Sequence, residues 1–268
     1  MWKKRKPQKR FSGKWTKIYW AIPTILVTAL IFIFFMSGLL TVTQVEIDSS
    51  QLNCTDETRI RNFANLFGQN FFLINSAKVE DNLKKNFFCI KSASISKNFP
   101  SKITIQTVSR QPAALLVALK EKEATLSSLI ESIATPSAQQ VQDSYIVDSE
   151  GVVFSKDTNQ LNIPKIYIYD SKIVLGKRIE SDLSNSLKIL ETVKTFGMEV
   201  AEGWTVDNIF IVLSSASGPK VIFSLNDKIN LQLASLQLIL DKAKIDFGEL
   251  EFIDLRFDKP VVRFTPKK

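Results

Sequence analysis

The chain contains no histidine in 268 residues. That absence removes the commonest general base, the usual activator of a serine or cysteine nucleophile and the usual zinc ligand. Nine glycines and two cysteines are too few to build a Gly-rich phosphate loop or a thiolate metal site, and no motif of either kind occurs. Cys54 and Cys89 lack CxxC spacing and have no histidine to activate them, so neither reads as catalytic. An enzyme would have to work with carboxylates, Lys, Ser or Tyr alone. Asp148 and Glu150 tempt one towards a carboxylate pair, but they precede Gly151 between two strand-like runs, which is turn chemistry. The expectation is a protein that binds rather than catalyses, with no cofactor and no metal.

Acidic residues are also absent from residues 1–17, which carry Lys3, Lys4, Arg5, Lys6, Lys9, Arg10, Lys14 and Lys17. These eight account for the whole net charge of +8; the remaining Lys and Arg equal the 27 Asp and Glu. A neutral remainder has no bulk attraction for a polyanion, which argues against nucleic-acid binding. Residues 18–40, IYWAIPTILVTALIFIFFMSGLL, hold no charge. As a helix they span about 34 Å, enough for a hydrocarbon core of about 30 Å. Pro23 falls in the first turns, where a missing donor matters least, and Trp15, Tyr19 and Trp20 sit at headgroup level. The positive-inside rule then keeps 1–17 in the cytoplasm and exports the rest. A cleaved signal peptide fits less well, because the apolar run is too long and no A-x-A-like site follows Leu40. The polybasic tail serves topology and is also suited to anionic lipid.

Beyond the apolar segment, 42–48 alternates as a strand. A helix starts near Thr55 or Asp56, with Ile60, Phe63, Ala64 and Phe67 on one face and Gly68 at its end. A second opens at Ser76 and stacks Val79, Leu83 and Phe87. Strands follow at 90–97 and 102–109 around the turn Asn98-Phe99-Pro100-Ser101. Residues 120–143 are rich in Ser, Ala, Gln, Glu and Lys, with no aromatic, and read as a mobile insertion or linker with a short helix near 121–133. Strands are expected at 145–148, 152–155, 166–169, 205–214, 219–225, 250–257 and 261–265. Helices are expected at 181–196, carrying Leu183, Leu187, Leu190 and Val193, and at 228–245, carrying Ile229, Leu233, Leu236 and Leu240.

Several stretches, in order, resemble the FtsQ/DivIB family of bacterial cell-division proteins. Gly68-Gln69-Asn70-Phe71-Phe72-Leu73-Ile74 is similar to the family's stretch between the two helices of its POTRA domain. Ile90 to Pro100 (IKSASISKNFP) resembles the following strand and turn, and Arg110-Gln111-Pro112-Ala113-Ala114 the exit from that domain, with Ser109 where Glu is usual. Val147 to Phe154 (VDSEGVVF) resembles a hairpin of the next domain, and Phe252-Ile253-Asp254-Leu255-Arg256-Phe257 a stretch near the C-terminus. The departures are the 120–143 insertion, Ser109 and the two cysteines. The resemblance implies an α+β chain: cytoplasmic tail 1–17, transmembrane helix 18–40, a βααββ POTRA domain over 41–112 and a mixed β domain with two longer helices over 113–268. It implies a single-pass protein of the cell membrane at the division site. Such a scaffold would have no reaction of its own; it would recruit the coiled-coil proteins FtsB and FtsL and link them to septal peptidoglycan synthesis. A POTRA-bearing translocation or chaperone component is the alternative, though such machines usually carry several POTRA repeats and a β-barrel.

The implied docking region is the last strands, with Phe252, Asp254, Arg256, Phe257, Lys259, Val262 and Phe264 as candidate contacts. Pro260 cannot donate to a ladder and so belongs at an edge or bulge, and an edge strand is what a partner extends. Phe252, Ile253 and Leu255 read towards the core, Phe257 and Phe264 outwards. Asp254 and Arg256 share a strand face, so a local ion pair competes with a partner contact. Exported Cys54 and Cys89 could form a disulfide closing about 35 residues; two isolated buried thiols are the alternative.

Overall fold

A computed structural model describes residues 23–30, 32, 40–50, 55–121, 125–131, 136–137, 139–156, 162–169, 172–215, 218–225, 228–243 and 250–265. Strand β1 (Gln44–Ser50) is followed by helices α1 (Glu57–Ala64) and α2 (Ser76–Asn86), then β2 (Ile90–Asn98) and β3 (Lys102–Ser109). These strands form one sheet in the order β1-β3-β2, with β1 parallel to β3 and β2 antiparallel to it. The helix starts are set by side chains. Asp56 accepts the Arg59 amide (2.7 Å) and Asn75 accepts the Lys78 amide (3.1 Å), each satisfying a donor the helix leaves open. Helix α1 ends at Asn65 in the left-handed region (φ 43°), three residues before the expected Gly68. Phe67 therefore leaves the helix face and lies 70% exposed, whereas Ile60 and Leu83 are fully buried against Ile103 and Ile105 of β3.

The rest builds a nine-stranded sheet in the order β12-β11-β10-β9-β8-β7-β4-β5-β6. Its elements are β4 (Ala114–Leu119), α3 (Leu126–Glu131), β5 (Val141–Val147), β6 (Val153–Ser155), β7 (Lys165–Tyr169), α4 (Ser181–Thr195), β8 (Val200–Val206), β9 (Phe210–Ser215), β10 (Lys220–Ser224), α5 (Ile229–Ala243), β11 (Leu250–Asp254) and β12 (Val261–Phe264). Helices α4 and α5 are crossovers between the parallel neighbours β7 and β8 and β10 and β11. Alternation along the strands splits the core in two. Leu116, Ile166, Ile168, Ile211, Leu213, Val221 and Phe223 meet Leu187, Leu190, Leu233 and Leu236 of α4 and α5. Val117, Tyr167, Trp204, Val212 and Ile222 point the other way and cluster with Leu129 of α3.

The short helix expected in the 120–143 segment is thus α3, seated on the sheet. Leu129 is 3% exposed and Lys220 Nζ donates to the Ile130 carbonyl (2.6 Å). Residues 122–124, 132–135 and 138 of that segment lie outside the described residues. The strand expected over 205–214 is instead a hairpin, β8–β9. Asp207 and Asn208 both hold φ 54°, the pair of left-handed residues that a tight hairpin turn needs. Strand β4 was not expected at all: its run ALLVAL is a strand buried on both faces, without alternation to betray it. The strand expected over 250–257 stops at Asp254.

The two sheets meet at a shared junction. Ile146 and Phe154 of the larger sheet pack into the core of the smaller one. Arg110 Nη1 pairs with Asp148, its Nε donates to the Phe88 carbonyl (3.2 Å) and its amide donates to the Cys89 carbonyl (2.8 Å). Asp148 also accepts the Glu150 and Val152 amides (3.1 and 2.8 Å), with Gly151 at φ 81°, so the turn reading of Asp148-Glu150-Gly151 fits the geometry. Lys91 pairs with Glu150 (2.8 Å) and holds its carboxyl below the ordinary range.

Among the described residues no helix is long and apolar enough to cross a membrane. The tail 1–17 and residues 18–22, 31 and 33–39 of the apolar segment lie outside the described residues. Residues 23–30 are helical, with Ile25, Leu26, Val27 and Leu30 exposed.

Candidate functional site

A nine-stranded sheet that does not close has two edges, β6 and β12. The β6 edge is covered by its own chain. Val153 N–H donates to Lys177 (3.0 Å), Gly176 N–H donates to Val153 (2.8 Å), and Val152 bridges Arg178. Among the described residues no backbone hydrogen bond reaches the outer side of β12. Its inner side pairs antiparallel with β11 in the register Ile253↔Val262 and Asp254↔Val261, with a bulge between Leu250 and Phe252. Val261 and Phe264 are 48% and 53% exposed. An edge of this kind is a template for a further strand unless something blunts it. Here the blunting is local: the bulge at Glu251, the Arg263–Glu251 ion pair (2.9 Å), and Pro260 at the start of the strand.

The loop between β11 and β12 is organised by Asp254, which is 5% exposed. Its Oδ1 accepts the Arg256 amide (3.1 Å) and Nε (2.9 Å), and its Oδ2 accepts Nη2 (2.6 Å). These hydrogen bonds raise the Arg256 pKa above its ordinary value, against the opposing effect of burial. A side chain that binds the amide two residues on turns the chain, which is why the strand ends at Asp254 rather than at Phe257. The clamped guanidinium lies 5.0 Å from the Phe210 ring centroid and 5.3 Å from that of Phe257. Asp254 is therefore engaged within the chain, and Arg256 orients Phe257.

The seven candidate contacts fall into three groups. Phe257, Lys259 and Phe264 are exposed, Phe257 at 57%; Val262, Arg256 and Phe252 are half-buried; Asp254 is buried. Ile253 and Leu255 are core residues, at 0% and 2%. Sequence reasoning did not include Leu231 of α5, which is 58% exposed and lines a shallow cleft with Arg256, Phe257 and Lys228. Lys228 reaches Asp258 (3.1 Å) across that cleft. The signal for Leu231 was its place outside the Ile229–Leu233–Leu236 stripe that faces the core, a place it shares with the exposed Leu238. Cys89 is buried and disulfide-bonded; Cys54, the only other cysteine in the chain, lies outside the described residues.

Residues 40–110 match the model of the POTRA domain, FtsQ-type, which takes in β1 to β3 and the two helices between them. No curated protein matches the chain. An FtsQ-type POTRA domain followed by a β-rich α+β region points to a division-related role in the cell envelope.

Proposed function

We propose that this chain, an FtsQ/DivIB-like protein by its FtsQ-type POTRA domain, is a non-catalytic scaffold anchored in the cell membrane at the division site. Residues 18–40 cross the membrane, 1–17 remain in the cytoplasm, and the two-sheet ectodomain lies outside. The exposed apolar residues of the helical stretch 23–30 suit lipid as their surroundings. Partners of the FtsB and FtsL kind dock on β12 by adding a strand and so couple the scaffold to septal peptidoglycan synthesis.

The observation that carries this reading is the asymmetry of the edges: β6 is covered by residues 176–178, while β12 presents Val261 and Phe264 beside the cleft at Phe257 and Leu231. Backbone pairing would supply affinity and these apolar side chains the choice of partner. The polar edges of the smaller sheet suit that role less, since Gln44, Glu46 and Asp48 of β1 and Ser92, Ser94 and Ser96 of β2 offer no apolar anchors. Affinity capture from envelope extract tests it, with the full chain set beside Phe257→Asp and Phe264→Asp. Both positions are exposed, so the fold should tolerate the charge. Loss of a small single-pass coiled-coil protein from both variants is the expected result. Undiminished capture would refute the edge as the docking site, and capture of unfolded envelope proteins instead would favour the translocation or chaperone reading.

A further inference from the structure

The smaller sheet exposes seven large apolar side chains: Phe63, Phe67, Phe72, Leu73, Phe88, Phe99 and Val108. Four of them, at 70% (Phe67), 49% (Phe72), 80% (Leu73) and 71% (Phe99), lie on the two loops that flank residues 40–44, the α1–α2 connection and the β2–β3 turn. The placement is fixed by backbone hydrogen bonds. Phe71 N–H donates to the Leu40 carbonyl (2.8 Å), Gly68 N–H to Val42 (2.9 Å), and Thr43 N–H to Ser101 (3.0 Å). The buried Phe71 ring ties the two loops together, with its centroid 5.4 Å from that of Phe72 beside it and 6.4 Å from that of Phe99. Lys97 lies at the margin, 5.8 Å over Phe71, with its Nζ bound to the Ile74 carbonyl (2.6 Å).

From this cluster β1 and β3 run parallel, so Arg110 and the larger sheet leave from the opposite end of the domain. The uncharged segment 18–40 ends at Leu40, which is hydrogen-bonded to the cluster itself. We infer that this end of the POTRA domain rests in the lipid–water boundary of the membrane that holds the chain, with Phe67, Phe72, Leu73 and Phe99 among the acyl chains and Lys97 at headgroup level. The inference rests on the anchored reading of residues 18–40 given above. Contiguous exposed apolar side chains need an occupant. Here the occupant is set by continuity: a chain that emerges from the bilayer at Leu40 brings these loops to the lipid surface within a residue or two. Phe and Leu flanked by Lys is the composition of interfacial segments, whose apolar groups enter the acyl boundary while the ammonium stays outside. The domain would thereby be held upright, with the β12 edge carried away from the bilayer.

The test places photo-reactive benzoylphenylalanine at position 73, at 99 or, as the far-end control, at 108 in the full chain. Val108 is 49% exposed at the other end of β3. The chains are reconstituted in phosphatidylcholine–phosphatidylglycerol vesicles, washed with alkaline carbonate, illuminated and analysed for lipid adducts. Lipid adducts at 73 and 99 several-fold above those at 108 are expected. No excess in chains that stay with the washed vesicles would overturn this inference alone. Chains removed by the wash would overturn the anchored reading and this inference with it. A dominant protein adduct at 73 and 99 in native membranes would assign the cluster to a protein partner and refute the lipid contact.

Discussion

Replacing Arg110 by Met keeps most of the side-chain volume and removes the charge from the junction between the sheets. In the folded chain the Arg110 and Asp148 side chains are 15% and 5% exposed, so the pair sits largely out of water. Asp148 keeps two backbone donors, the amides of Glu150 and Val152, on Oδ1, but Oδ2 loses its cation. Removing one partner of a buried pair costs about 3–5 kcal/mol, and the two remaining donors put Arg110→Met at about 3. Asp148→Asn retains the acceptor for both amides and leaves the more accessible guanidinium its Glu150 contact (3.6 Å), at a cost of about 1–2 kcal/mol. If the pair acts as a unit, the double variant falls short of additivity by about 2 kcal/mol. Urea unfolding of residues 40–268 reads this directly, because Trp204 is the only tryptophan outside residues 1–20. Additivity within about 0.5 kcal/mol would refute the coupling assigned to Arg110 and Asp148.

Gly176 tests the same junction by sterics: it holds φ 77°, and an added Cβ would clash with the ring of Phe88 in the α2–β2 turn. Gly176→Ala should destabilise by about 2 kcal/mol or more, and Phe88→Leu in the same chain should recover the contact part but not the backbone part; unchanged unfolding midpoints would contradict the packing. Burial beside Trp204, with help from Glu202, pushes Tyr167 up to about 12. Its contribution to stability is present below about pH 10 and is lost as pH rises through about 12, because the unfolded chain ionises first. Tyrosinate absorbance should show one of the four tyrosines titrating last, and Tyr167→Phe should remove that step; a step left in place would refute the assignment. Non-reducing peptide mapping should return a single Cys54–Cys89 cross-link, whose removal costs about 3–4 kcal/mol for a loop of about 35 residues; two alkylatable thiols in protein from its own membrane would exclude it.

The sequence was most legible where one side chain fixes a boundary. Asp56, offered beside Thr55, is the cap of the first helix, and the stripes Leu183–Leu187–Leu190 and Ile229–Leu233–Leu236 announce the faces that α4 and α5 bury. It was least legible where three-dimensional context decides. Strand β4 lies between two neighbours and is apolar on both faces, so it carries no period, and an apolar run after a domain exit did not declare itself. Asp207-Asn208 was a readable hairpin signal that the apolar stretches on either side masked. Helix α3 comes from a segment whose composition suggests a linker; Leu129 is seated by Tyr167 and Trp204, which lie far away in sequence. In the candidate site, the exposure of Phe257 and Phe264 was readable from Pro260 and the terminal strand pattern. The burial of Asp254 and the cleft at Leu231 depend on how β11 sits beside α5.

The claim at the centre of this account is that β12 accepts a strand from a partner. Hydrogen exchange of the full chain, alone and with a purified FtsB–FtsL-type partner complex, tests it at the level of the backbone. The account predicts that the outward-facing amides within Val261–Phe264, those not already bonded to β11, gain at least about tenfold protection, as a newly paired edge must, while those of β6 do not change. Protection confined to the smaller sheet, or equal exchange at β12 with the partner demonstrably bound, would contradict it.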